Sequence, residues 1–126
     1  MPTLDLPLLA FSDADAFEVW LADQPTTAAG AWVKFSKPGA PEATLSKSDA
    51  IDSALAYGWI DGQLGRVDEH YYKVRFTPRK DRSAWSQVSR ERAERLIADG
   101  RMKPEGMAEV MRAKADGRWD AAYAPQ

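Results

Sequence analysis

Residues 57–86 contain the side chains of this sequence that are best suited to binding chemistry. Aromatic rings, arginines and one acid–amide pair are packed together there more densely than a sheet needs for burial alone. Rings supply contact area, guanidinium groups recognise anions, and a nearby carboxylate and amide orient a ligand. On this basis the predicted ligand-binding residues are Trp59, Asp61, Gln63, Tyr71, Arg75, Arg79 and Arg82.

Asp61 is notable because it lies in a segment that is predicted to be a strand, and aspartate is disfavoured in strands. A partly buried carboxylate needs a partner, and Arg75 on the facing strand offers two parallel hydrogen bonds. One interpretation is an ion pair that fixes the register of the hairpin. The other is a polar site lined by Asp61, Gln63 and Arg75.

Catalytic and metal chemistry have little support in the sequence. Asp61 as a general base is the one enzymatic hypothesis, since the single histidine, His70, falls in a predicted turn where an exposed imidazole is expected. No motif supplies a nucleophile with an orienting acid. Without cysteine, and with one histidine and no carboxylate cluster, we predict no metal site, no cofactor and no catalytic residue. A non-enzymatic binding protein is the favoured interpretation.

The net charge of −2 conceals an uneven distribution along the chain. Residues 1–65 carry three basic and nine acidic side chains, whereas residues 66–95 carry nine basic and five acidic ones. A local basic patch attracts phosphate or carboxylate groups. The chain as a whole is too acidic for a dedicated nucleic-acid binder.

Length and composition predict one soluble globular domain over residues 1–126, with its core between about residues 11 and 123. The N-terminus lacks a basic segment followed by an apolar run, so no secretory signal is predicted. No apolar stretch approaches the length of a membrane span. We therefore expect a cytoplasmic protein.

Capping and periodicity predict the elements. Ser12 and Ser46 each precede an aspartate three residues later, the pattern of a helix start, and Pro25 and Gly58 end these two helices. Residues 31–36 alternate as a strand, and 59–67 with 71–77 form a hairpin. Two further helices start near Ser86 and Pro104, and the rings of Trp119 and Tyr123 are expected to pack back on the core. The predicted fold is α+β, in the order α-β-α-β-β-α-α, with an antiparallel sheet of three or slightly more strands flanked by about four helices.

Side-chain alternation divides the predicted sheet into two faces. The core face would collect Val33, Phe35, Ile60, Leu64, Tyr72, Val74 and Phe76. The second face would collect Trp32, Lys34, Trp59, Asp61, Gln63, Tyr71, Lys73 and Arg75. Such a large aromatic area is expected to be covered, either by Trp85 and Trp119 of the same chain, which we favour for part of it, or by a ligand or partner.

Several ordered motifs resemble the YdeI/OmpD-associated family, also called bacteriocin-protection, which is grouped with YjbR/CyaY-like folds. They are residues 57–62, 71–79, 82–86, 94–102 and 115–120, so the resemblance covers most of the chain. It implies a helix-flanked antiparallel sheet. It also implies a link to protection against bacteriocins or cationic antimicrobial peptides and to envelope stress, with no catalytic residue to carry over.

Taken together, these observations predict a cytoplasmic protein that binds a small anionic ligand or a protein partner through the aromatic and arginine face of the sheet. The alternative is a nucleic-acid-binding module that uses the basic region 66–95, or a helix-turn-helix formed by the last two helices. Against the second form, Met107, Val110 and Met111 read as core contacts, and acidic residues dilute the charge of the fourth helix.

Overall fold

The computed structural model describes residues 6–25 and 27–122. The elements follow the predicted order, with one additional short strand at the start, and the predicted α+β class is confirmed. They are β1 (Leu8–Leu9), α1 (Ala14–Ala22), β2 (Ala31–Ser36), α2 (Lys47–Ala56), β3 (Trp59–Arg66), β4 (Tyr71–Pro78), α3 (Gln87–Ala98) and α4 (Pro104–Ala115).

The sheet has four strands in the order β1-β2-β4-β3. β2, β4 and β3 are antiparallel, as predicted, whereas β1 lies parallel to β2 and makes the sheet mixed. The amide of Trp32 donates a hydrogen bond of 2.8 Å to the Pro7 carbonyl oxygen at this edge. Only Leu8 and Leu9 pair in β1, and two residues are too few to show the alternation that identifies a strand in a sequence.

The helix starts agree with the predicted caps at Ser46 and Ser86 but not at Ser12. The Ser46 hydroxyl accepts a hydrogen bond of 3.1 Å from the Asp49 amide. In α1 the cap is instead Asp13, whose carboxylate accepts a hydrogen bond of 2.9 Å from the Ala16 amide. Aspartate caps as well as serine does, and its charge also interacts favourably with the helix dipole.

Two hydrophobic clusters hold the elements together. The first joins α1 and α2 to one face of the sheet through Phe17, Leu21, Val33, Phe35, Leu45, Ala50, Ala54, Trp59, Val74 and Phe76. The second joins α2, α3 and α4 through Leu55, Trp85, Ala93, Leu96, Val110, Ala113 and Trp119. The helices therefore pack on one side of the sheet and on each other.

The predicted return of the C-terminal tail is confirmed for Trp119. Its ring packs edge-on against Trp85 with the centroids 5.1 Å apart, and it is almost fully buried. Tyr123 lies outside the described residues. In the parts of the chain that the structure describes, every helix is too short or too polar to cross a membrane.

Candidate functional site: the outer face of the sheet

A β-bulge in β3 determines which side chains reach each face of the sheet. Asp61 pairs with Phe76 and Leu64 pairs with Val74, so Gly62 and Gln63 together oppose Arg75. An extra residue in one strand reverses the alternation of side chains beyond it. The faces predicted for β3 by simple alternation are therefore partly wrong.

The structure places Trp59 and Ile60 each on the side of the sheet opposite to the one predicted for it. Trp59 pairs with Pro78 on the helix-covered side and is buried, with its ring edge-to-face against Trp20 and the two centroids 5.4 Å apart. Ile60 pairs with Thr77 on the opposite side and is only half-buried. Trp59 is thus a core residue and does not present its ring to a ligand on the second face.

The structure also separates Asp61 from Arg75. Asp61 lies in the ladder opposite Phe76, whereas Arg75 lies opposite the bulge and points to the other side. Among the ion pairs formed by the described residues, none joins these two side chains. Gln63 remains beside Arg75 in the bulge, so one part of the predicted polar group stays together.

We call the sheet surface that faces away from the helices the outer face. Along β2, Ala31, Val33 and Phe35 are fully buried while the alternate residues are half-exposed, which shows that one side is covered and the other is not. Across β2, β4 and β3, the outer face carries two rings, three cations and one aliphatic residue. They are Trp32, Lys34, Ile60, Tyr71, Lys73 and Arg75.

The lysines of the outer face lie over its rings. Lys73 Nζ is 4.3 Å from the centroid of the Trp32 ring, and Lys34 Nζ is 4.4 Å from that of Tyr71. Lys34 and Lys73 are also directly opposite one another in the β2–β4 ladder. The two rings lie on opposite sides of this pair along the strands, so the two ammonium groups diverge, each toward the ring face that attracts it.

Among the described residues, the cations of the outer face are not held in ion pairs, although Lys34 has a longer-range electrostatic interaction with Asp68. The ion pairs found among residues 6–25 and 27–122 include neither lysine of this face nor Arg75. Arg75 is exposed. Three cations within one small patch create a positive potential that attracts anions.

Tyr71 marks one end of the outer face, where a shallow cavity of about 320 Å³ opens. The Tyr71 hydroxyl donates to the Glu42 carbonyl oxygen at 2.9 Å and accepts from the Glu42 amide at 3.1 Å. These two bonds hold the loop before α2 against the sheet. The cavity is lined by Ala10, Phe11, Ser12, Lys34, Glu42, Ala43, Thr44 and Tyr71.

Arg79 and Arg82 lie away from the outer face. Arg79 is buried, stacks on Trp85 at 3.8 Å from the ring centroid and donates to the Ser83 hydroxyl at 2.9 Å. Arg82 is exposed in the following turn, with a φ of 67°. Trp85 and Trp119 belong to the second hydrophobic cluster. The cover that we favoured for the outer face is therefore not supplied by these two tryptophans.

The structure brings Gln63, Tyr71 and Arg75 together out of the seven predicted residues. It adds Trp32, Lys34 and Lys73, which alternation had placed on the same face but which the predicted site omitted. The sequence signal for these three residues is the strict alternation of side chains in β2 and β4. Among the described residues, no group of three or more acidic or histidine side chains is placed to hold a metal ion.

The family model described as a domain of unknown function (DUF8412) matches residues 9–109. The chain belongs to this DUF8412 family. The match includes β2, the hairpin and all the residues of the outer face. No curated protein and no solved structure matches the chain.

Proposed function

We propose that this DUF8412 protein acts by binding a small anionic ligand on the outer face of its sheet. The observation that carries the proposal is the concentration of Lys34, Lys73 and Arg75, none of them in an ion pair among the described residues, beside two aromatic rings on a surface without helix cover. Lysine and arginine supply charge-assisted hydrogen bonds, and Trp32 and Tyr71 supply flat contact area.

Inorganic pyrophosphate and citrate are suitable probes, because both are compact and multiply charged. Binding is followed by the shifts of the Trp32 indole and the Arg75 amide in two-dimensional NMR spectra. Replacing Arg75 with alanine is expected to weaken binding about fivefold to tenfold, which corresponds to about 1–1.4 kcal/mol. Arg101→Ala, an exposed arginine after α3, is the matched control. Equal affinity for the two variants would overturn the proposal.

A protein partner with an acidic surface is the second occupant that we consider for the same face. Aromatic residues and arginine are enriched in the energetic centres of protein interfaces. An acidic peptide that displaces pyrophosphate, and whose binding weakens with Arg75→Ala, would identify this class. A peptide with the same composition but with amides in place of carboxylates is the control.

Single-stranded nucleic acid is the alternative function with a specific observation in its favour. Two rings and three cations on an open sheet match the combination of stacking and backbone contact that such binding uses. The helix-turn-helix form has less support, because Arg92 of α3 pairs with Asp52 at 2.8 Å and Val110 of α4 is buried. A gel-shift with single-stranded and duplex oligonucleotides near 50 mM salt separates these possibilities.

The resemblance to the YdeI/OmpD-associated family supports a proposal about the physiological role of the protein. We propose that the protein works in the cytoplasm and contributes to bacteriocin or antimicrobial-peptide resistance through the outer face. Bacteria that lack the gene should regain resistance with the wild-type chain and with Arg101→Ala, but not with Arg75→Ala produced at the same level. Equal rescue by all three variants would mean that resistance does not depend on the outer face. Cell fractionation tests whether the protein is in the cytoplasm.

A further inference from the structure

A second concave surface lies at the loop end of the hairpin, on the helix side of the sheet. It is wide and open to solvent, with a volume of about 690 Å³. We call it the hairpin cleft. Its lining residues are Lys37, Lys47, Leu64, Gly65, Arg66 and Tyr72.

The floor of the hairpin cleft is apolar. Leu64 is 62% exposed although it pairs with the core residue Val74, because the hairpin extends beyond the helices at this point. Tyr72 is half-buried beside it, with its ring 5.6 Å from Phe35. Leu64 and Tyr72 together offer apolar contact area to a ligand.

The rim of the hairpin cleft is positively charged. Its three cations come from three different parts of the chain, and its lining includes no acidic residue. None of the three takes part in the ion pairs found among the described residues. Lys37 Nζ does donate a hydrogen bond of 3.3 Å, to the backbone oxygen of Asp68.

The position of Lys47 is unfavourable for the helix that carries it. Lys47 is the first residue of α2, where the positive end of the helix dipole repels a cation. The residue therefore adds positive charge to the cleft at some expense of helix stability. Replacing it with a neutral side chain should leave the fold intact.

We propose that the hairpin cleft binds a free single-chain amphipathic carboxylate, such as a medium-chain fatty acid. Its carboxylate complements the charges of Lys47, Arg66 and Lys37, and its alkyl chain covers Leu64 and Tyr72. This site is independent of the outer face. It lies on the other side of the sheet, and none of the cations or rings of the outer face lines it.

The test is titration of the full chain with decanoate below its micelle concentration, followed by the methyl signals of Leu64 and the ring signals of Tyr72. Decanol and decyltrimethylammonium are the matched uncharged and cationic probes. We expect saturable binding of decanoate, at least fivefold weaker binding of decanol and no binding of the cation. Lengthening the chain by one methylene should tighten binding by at most about fourfold, the value for complete burial.

Variants locate the site within the chain. Lys47→Gln and Leu64→Ser should each weaken decanoate binding at least fivefold. Lys80→Gln and Val88→Ser, which change an exposed cation and an exposed aliphatic residue elsewhere, should leave it unchanged. Arg75→Ala should also have no effect, which separates this site from the proposed function. Equal binding of decanol and decanoate, equal effects of target and control variants, or binding only to lipid vesicles would overturn the proposal.

Discussion

Lys73 holds its ammonium group 4.3 Å above the centre of the Trp32 ring, and Gly65 of the neighbouring strand makes room for it. A Cβ at Gly65 would lie 2.8 Å from Lys73 Cε and 3.4 Å from the Trp32 ring. The absence of a side chain at position 65 is therefore part of the geometry of the outer face.

Gly65→Ala should displace Lys73 from Trp32 while the fold is retained, because a flexible side chain can move away from the new methyl group. We expect a shift of the Trp32 indole signal and weaker binding of pyrophosphate. Gly62→Ala is the matched control, since its Cβ would lie 3.4 Å from its nearest neighbour, the Arg75 carbonyl oxygen. An unchanged indole signal in Gly65→Ala would contradict the arrangement described here.

Gly106→Ala should destabilise the protein although it lies inside a helix. In an exposed helix, alanine is more favourable than glycine by about 0.5–1 kcal/mol. Here the added Cβ would overlap the carbonyl oxygen of Ala56 and lie 2.5 Å from that of Leu55, so α4 would have to move away from α2. We expect a loss of about 1–3 kcal/mol in the free energy of unfolding. Chemical denaturation measures it, and Ala108→Gly, an exposed site on α4, gives the ordinary helix effect for comparison.

Substitution of Arg79 should lower the stability of the protein, whereas substitution of Arg82 should not. Arg79→Ala removes a stacked guanidinium and its hydrogen bond to Ser83, and we expect a loss of about 2–3 kcal/mol of stability. Arg82→Gly relieves a left-handed backbone and should be neutral or stabilising by up to about 1 kcal/mol. Thermal unfolding of both variants checks the pair. Equal stability of the two would contradict a structural role for Arg79.

Acid should loosen the hairpin loop through Asp68. The Asp68 carboxylate accepts hydrogen bonds from the His70 amide at 2.8 Å and the Tyr71 amide at 3.0 Å, and these bonds lower the pKa of Asp68. A lowered pKa means that the carboxylate stabilises the folded loop above its unfolded pKa of about 3.9. That contribution is lost as pH falls through the lower, folded pKa.

The amide shifts of His70 and Tyr71 between pH 6 and pH 2 report this loss directly. Their common midpoint should lie below about 3.9. Asp68→Asn keeps an oxygen acceptor but does not titrate, so the transition with a midpoint below about 3.9 should be absent in that variant. A wild-type midpoint above the unfolded value would mean that the hydrogen bonds do not favour the charged form.

Most of the fold could be predicted because its signals are local. Ser46 with Asp49 defines the start of α2, and strand alternation defines β2. The candidate site was harder to predict because it depends on one inserted residue. The bulge at Gly62 and Gln63 reverses the side-chain alternation, so Trp59 enters the core and Ile60 leaves it. No spacing rule in one sequence locates such an insertion, since glycine in a strand also has other causes.

The concentration of Lys34, Lys73 and Arg75 on one face couples occupancy of the outer face to thermal stability. The like charges gathered on one face repel each other in the empty protein, and any bound anion or added salt weakens that repulsion. The melting temperature of the wild-type chain should therefore rise with ionic strength, and more steeply than that of Lys34→Gln. A ligand present at a hundred times its dissociation constant would add about 2.7 kcal/mol. Melting curves recorded against a library of metabolites thus become a search for the natural ligand that needs no assay of activity.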